Sequence, residues 1–156
     1  MFLNSVLTNS ESWYGLKESD IEHLEQVDEM LLRKLVEVGQ GCPKEMLFLE
    51  TGSWPLRYII MSRRVMFLQY ILKEDRESLI YKVLQAQIKH PVKNDWIITV
   101  RENLEELSIH LELEDIASLS TGCFKKFVYK KIDGRVLNYL NEIKSTHSKV
   151  MHIQHE

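Results

Sequence analysis

Four groups of residues in this sequence have side chains able to do chemistry. The first is basic: Arg57, Arg64, Lys73 and Arg76 mid-chain, then Lys125, Lys126, Lys130, Lys131 and Arg135, opposed locally only by Asp133. Cations spaced along a helix surface suit phosphate contacts, which give affinity with little sequence preference. The second is four acidic pairs, Asp28/Glu29, Glu74/Asp75, Glu105/Glu106 and Glu114/Asp115. Two-metal chemistry needs carboxylates held around a pair of ions. These pairs fall on charged helix or turn surface, beside neither a strand end nor a glycine-rich loop. The third is Cys42, placed before Pro43 near a helix N-terminus, a position that lowers a thiol pKa; no histidine is near it in sequence. The fourth is His147, His152 and His155, whose spacing matches no zinc pattern and which no cysteine joins. No phosphate loop or dinucleotide fingerprint occurs. The basic groups are therefore the leading candidate site, and the residues imply no catalytic set, no metal and no cofactor.

These side chains must be positioned by helices. Strong helix formers dominate, Gly and Pro number only 6 and 3, and apolar spacing is three or four residues almost throughout. Ser19-Asp20-Ile21-Glu22 reads as a capping box opening a helix to about Val38, with Ile21, Leu24, Val27, Leu31, Leu35 and Val38 on its buried face. Asp28 falls within that stripe and needs a partner there. Pro43 starts a short helix to residue 51, which Gly52 ends. Pro55 starts the next, to Lys73, apolar on most of its circumference and so central. On its wheel Arg57 and Arg64 lie outward on a flank, while Arg63 points inward. Arg63 is expected to pair, with Asp28 or Glu50 as partner; the alternative is that it snorkels to solvent.

Further helices are expected over 77–89, 95–107 capped by Asn94, 113–119, and 121–145 capped by Ser120, with a frayed tail. Gly134 is a possible kink in the last. The segment Trp96–Val100 has strand propensity, but the longer helical pattern around it prevails. The expected fold is all-α, with six to seven helices, a thumb-like domain over 1–119, and a long helix with connector tail over 120–156.

Bulk properties agree. A chain of 156 residues can bury a core without disulfides or metals, and its 44% apolar content is ordinary for a globular domain. The net charge of −3 hides blocks: residues 1–50 hold 4 basic and 10 acidic groups, whereas residues 123–156 hold 7 and 3. Basic surface is thus regional rather than global. Two cysteines far apart in sequence suggest a reduced, intracellular protein. The start, Met1–Leu7, lacks the basic region of a secretory signal, and no apolar run is long enough for a membrane span.

A set of ordered motifs carries a resemblance. Ser5-Val6-Leu7-Thr8-Asn9-Ser10-Glu11-Ser12-Trp13 is similar to a Ser-Leu-Leu-Tyr-Gly-Ser-Glu-x-Trp opening, with Thr8-Asn9 in place of Tyr-Gly. Val27–Lys34, Pro43–Gly52, Arg63–Leu72 and His147–Ile153 follow in order. Together they resemble the region after the palm in reverse transcriptases of non-LTR (LINE-type) retrotransposons, of the class bearing a zinc knuckle and a restriction-like endonuclease. The likeness spans nearly the whole chain. It implies a helical thumb and connector that grips an RNA–DNA or DNA duplex by its backbone, as part of an RNA-directed DNA polymerase, nuclear within a functional element. The palm's Asp-Asp pair is absent, as are knuckle and endonuclease, so the chain is expected to be a non-catalytic fragment or relic whose partners are the missing palm and endonuclease. The alternative is a helical protein-interaction module, or an inert relic, that binds no nucleic acid.

Overall fold

The computed structural model describes the backbone of residues 7–153 and the side chains of residues 7–146. The opening residues 1–6 and the tail histidines His147, His152 and His155 with their neighbours lie outside these described side chains. Among the described residues the structure is all-helical. A 3-10 turn, Ser10–Ser12, precedes α1 (Glu18–Leu35), α2 (Lys44–Thr51), α3 (Leu56–Lys73), α4 (Leu79–Lys89), α5 (Trp96–Glu106), α6 (Leu113–Ser118) and α7 (Thr121–Ile153).

Local chemistry sets most of these boundaries. Pro55 stands at the N-cap of α3, and Gly52 ends α2 in the left-handed region at φ +63°, where a side chain would be strained. Ser78 caps α4 by accepting from the Tyr81 amide at 3.3 Å, and Ser120 caps α7 by accepting from the Cys123 amide at 3.3 Å. Two expected caps move. The first helix starts two residues early, with Asp20 accepting from the Lys17 amide at 3.0 Å. Asp95 rather than Asn94 stands at the N-cap of α5, where its carboxylate makes no cap bond to the helix and instead accepts from the Val92 amide of the preceding turn at 2.8 Å; Asn94 takes a left-handed φ of 73°. The last helix runs past the expected end at residue 145 to Ile153, continuous through Gly134.

The centre is α3, which packs against the 3-10 turn and against α1, α4, α5, α6 and α7. Such a helix must be apolar nearly all round, and Tyr58, Met61, Val65, Leu68 and Ile71 fill the main core. Gln69, also buried, gives its amide to the Ile116 and Leu119 carbonyls at 3.0 Å each, which ties α3 to the end of α6. Tyr139 packs edge-on against Tyr58 near the start of α3. Since the end of α3 meets the start of α7 and its beginning meets Tyr139, the two helices run antiparallel. From α7 come Phe124, Val128, Ile132, Val136 and Leu140, in the same core as Leu47, Trp96 and Ile97. The boundary at 119/120 therefore does not coincide with a break in the core.

The first helix is rotated relative to its expected stripe. Val27 and Leu35 are exposed, Leu35 by 79%, while Glu25, Asp28, Leu32 and Arg33 are buried. The physical reason is electrostatic: Glu25 turns inward to Arg57, and Arg33 is held by Glu29 at 2.7 Å and by the Gly39 carbonyl at 2.9 Å. These contacts outweigh the burial of Val27 and Leu35. On α4, likewise, only Leu84 is buried; Leu79, Ile80 and Val83 face outward.

Candidate nucleic-acid interface

The central arginines do not form an outward pair. Arg57 donates to both carboxylate oxygens of Glu25 at 2.8 Å, and its third arm meets Glu18 at 2.9 Å. Glu25 is only 4% exposed, and this charge-assisted contact holds the Arg57 guanidinium well above its ordinary pKa. Arg64 is 4% exposed and donates through Nε to the Trp13 carbonyl at 3.0 Å. Its burial lowers its pKa, with no carboxylate offsetting the effect. Neither side chain is presented to a duplex. The wheel placed them on one flank correctly, but helix α1, the turn before it and α5 cover that flank.

The expected Arg63–Asp28 pair is also replaced. Arg63 donates to the Leu7 carbonyl and to the Ser10 hydroxyl, anchoring the N-terminal turn to α3. Asp28 is buried on α1, where desolvation and then the neighbouring Glu25 raise its pKa to about 6, against a partial lowering by Lys44. Sequence reasoning singled out Asp28 as the buried carboxylate and missed Glu25, three residues before it on the same helix face. That spacing was the available signal, since residues three apart share a face.

The basic residues of α7 fare differently. Lys125, Lys126 and Lys130 are exposed, and none of the ion pairs among the described residues involves them. Tyr129 lies between them, its ring 5.3 Å from the Lys125 ammonium and packed edge-on against Trp54 at 4.9 Å. The Trp54 indole in turn donates to Asp133 at 2.8 Å. The loop ending in Trp54-Pro55 thus buttresses this stretch of α7 and engages its one acidic residue. Lys131 is partly consumed, donating to the Ser108 carbonyl at 2.9 Å, and Arg135 lies between Glu106 at 3.6 Å and Glu142 at 3.5 Å. At the far end of α3, Lys73 donates to the Leu119 carbonyl at 2.6 Å, beside the start of α7, and Arg76 is exposed just beyond. The structure therefore keeps Lys125, Lys126 and Lys130 available, sets Lys73 and Arg76 near the same end of α7, and withdraws Arg57 and Arg64.

The other candidate groups that fall on described residues are not assembled into a site there. Among the described residues no group of three or more His, Cys, Asp or Glu side chains could hold a metal ion. The thiol of Cys42 contacts the Pro43 carbonyl at 3.7 Å, and its pairing with a histidine and an acid is not seen among the described hydrogen bonds. Among the described residues no helix is long and apolar enough to cross a membrane. Comparison with known proteins gives no matching family model, no matching curated protein and no matching solved structure.

Proposed function

We propose that this chain is a non-catalytic thumb-and-connector module of a non-LTR retrotransposon RNA-directed DNA polymerase, and that it contacts the template–primer backbone through helix α7. One observation carries the binding half of the proposal: Lys125, Lys126 and Lys130 stand exposed along α7 and outside the ion pairs of the described residues. Unneutralised ammonium groups on a helix buttressed from behind can meet phosphates at little reorganisation cost, and they release counterions when they do. The ordered motifs supply the family half. In this reading the contact belongs to α7, with Lys73 and Arg76 at its end, while Arg57 and Arg64 serve the fold.

The test is fluorescence anisotropy of a labelled RNA–DNA hybrid titrated with the protein between about 50 and 200 mM salt. Binding should weaken steeply with salt, and a K126Q/K130Q variant should flatten the plot of log K against log salt by about 0.9 for each phosphate interaction removed. Absence of binding at the lowest salt, or an unchanged slope in the variant, would sink the proposal.

A second reading rests on a different observation. Val27, Met30 and Leu35 on α1 and Met46 and Leu49 on α2 are exposed. Exposed apolar side chains on neighbouring helices are the kind of surface that meets other protein. A helical interaction module without nucleic-acid affinity is what the flat anisotropy titration would leave.

A further inference from the structure

Among the exposed cations of α7 stands an aromatic ring that the core does not use. Tyr129 is 36% exposed and belongs to neither apolar cluster of the described residues, whereas Phe127 and Tyr139 on the same helix pack against the main one. It lies one helical turn from Lys125 and Lys126 and next to Lys130. The group over its ring is the Lys125 ammonium, 5.3 Å from the centroid. Lys125 is itself exposed, so a solvated side chain, able to swing away, lies over the ring there. The ring is held in place by Trp54, packed edge-on at 4.9 Å with 83° between the planes. The Trp54 indole is fixed in turn by its 2.8 Å bond to Asp133, the acidic residue of this stretch.

We propose that Tyr129 is a stacking platform for an unpaired base, so that the strand met by this part of α7 is single-stranded. A ligand that suits both the ring and its surroundings carries negative charge on either side of a flat π-face, which a nucleotide strand repeats at every residue. Stacking on an aromatic side chain inside a basic surface is how single strands are held without sequence preference. A paired duplex keeps its bases stacked on one another and offers the ring no such face; a single strand can splay a base out. On binding, the Lys125 ammonium leaves the ring for a phosphate and the base takes its place. Lys126 and Lys130, four residues and so about 6 Å apart along the axis, hold the backbone beside it. The inference rests on the reading of α7 as a nucleic-acid surface and adds the state of the strand and the residue that senses it.

The experiment is fluorescence anisotropy of the full chain at about 50 mM salt with three labelled probes of equal length: an oligothymidylate, an abasic strand with the same phosphates, and a blunt RNA–DNA hybrid. The oligothymidylate should bind about tenfold more tightly than the abasic strand, the worth of one stacked base. Tyr129→Leu, which keeps an apolar side chain and removes the ring, should erase that preference and leave hybrid affinity unchanged; Tyr129→Phe should keep it. Equal affinity for the oligothymidylate and the abasic strand, or a preference that survives Tyr129→Leu, overturns the platform while salt-dependent hybrid binding leaves the backbone reading standing. Absence of binding to all three probes overturns both. Should the leucine variant fail to fold, the wild-type chain is irradiated with a single strand carrying iodouracil and the crosslink is mapped by mass spectrometry. A crosslink at Tyr129 supports the platform, and crosslinks only at other residues overturn it.

Discussion

Charge burial at single residues has consequences that can be measured. Arg57 neutralises Glu25, which is almost wholly removed from water. Replacing Arg57 with alanine leaves that carboxylate buried and alone, and should cost about 3 kcal/mol in urea denaturation. The double variant E25A/R57A should cost clearly less than the two single changes together, because the stranded charge goes with its partner. Asp28 behaves oppositely. Its folded pKa of about 6 lies above the ordinary value of 3.8, so the native state holds a proton that the unfolded chain has released. Its contribution is therefore complete below about pH 4 and is lost as pH rises through about 6. Asp28→Asn should match the wild type near pH 4 and exceed it by about 3 kcal/mol at pH 7. Equal stability of the two proteins across that range would show that burial does not disfavour the Asp28 carboxylate.

Elements were legible where apolar spacing and punctuation agreed. Pro55, Gly52 and Ser120 each stand at the helix boundary that their chemistry demands, and the apolar residues Trp96, Ile97, Val100, Leu104 and Leu107 are buried as their spacing requires. Orientation was less legible. The stripe rule assigns the apolar side of a helix to the core, but α1 turns Glu25 and Asp28 inward because α3 offers it an arginine. A wheel drawn for one helix contains no information about its neighbour's charges. For the same reason the outward placement of Arg57 and Arg64 did not survive, whereas Lys125, Lys126 and Lys130 stayed exposed because their helix has a solvent side whatever packs behind it. Two glycines at contrasting places in their helices give a direct test. A methyl group added at Gly134, inside α7, would meet no atom within 4 Å beyond its own stretch of helix, and the residue has no positive φ, whereas Gly52 sits at φ +63°. Gly134→Ala should stabilise by about 0.5–1 kcal/mol, through helix propensity alone. Gly52→Ala should destabilise by about 1 kcal/mol, because the left-handed conformation crowds a Cβ. Thermal melts of the two variants should therefore move in opposite directions.

For the molecule as a whole the question is whether the long last helix is an appendage or part of the body. Ile132, at the middle of its buried face, is fully excluded from solvent and lies in the same cluster as Leu47 of α2, Val65 of α3 and Val100 of α5. A helix joined so to several others cannot unfold first without exposing the core, so one cooperative transition is expected. Two probes report on different parts of it. Tryptophan fluorescence includes Trp54 and Trp96, the first held to α7 through Asp133 and the second packed against Phe67 of α3. Far-ultraviolet circular dichroism reads all the helices, and α7 is the longest of them, at 33 residues. In urea the two signals should share one midpoint. Ile132→Ala, which opens a cavity at a fully buried site, should cost about 2–5 kcal/mol and should move both midpoints together. Were residues 120–156 a connector that folds apart from 1–119, the variant would instead lower the dichroism midpoint and leave the Trp96 signal in place. The buttress around Tyr129 favours the first outcome. The loop before α3 grips α7 with an indole hydrogen bond and an edge-on ring contact, so the surface that carries Lys125, Lys126 and Lys130 is rigid only while the whole core is folded. Loss of that core should then abolish the salt-dependent binding expected of α7, even in a variant that keeps every lysine.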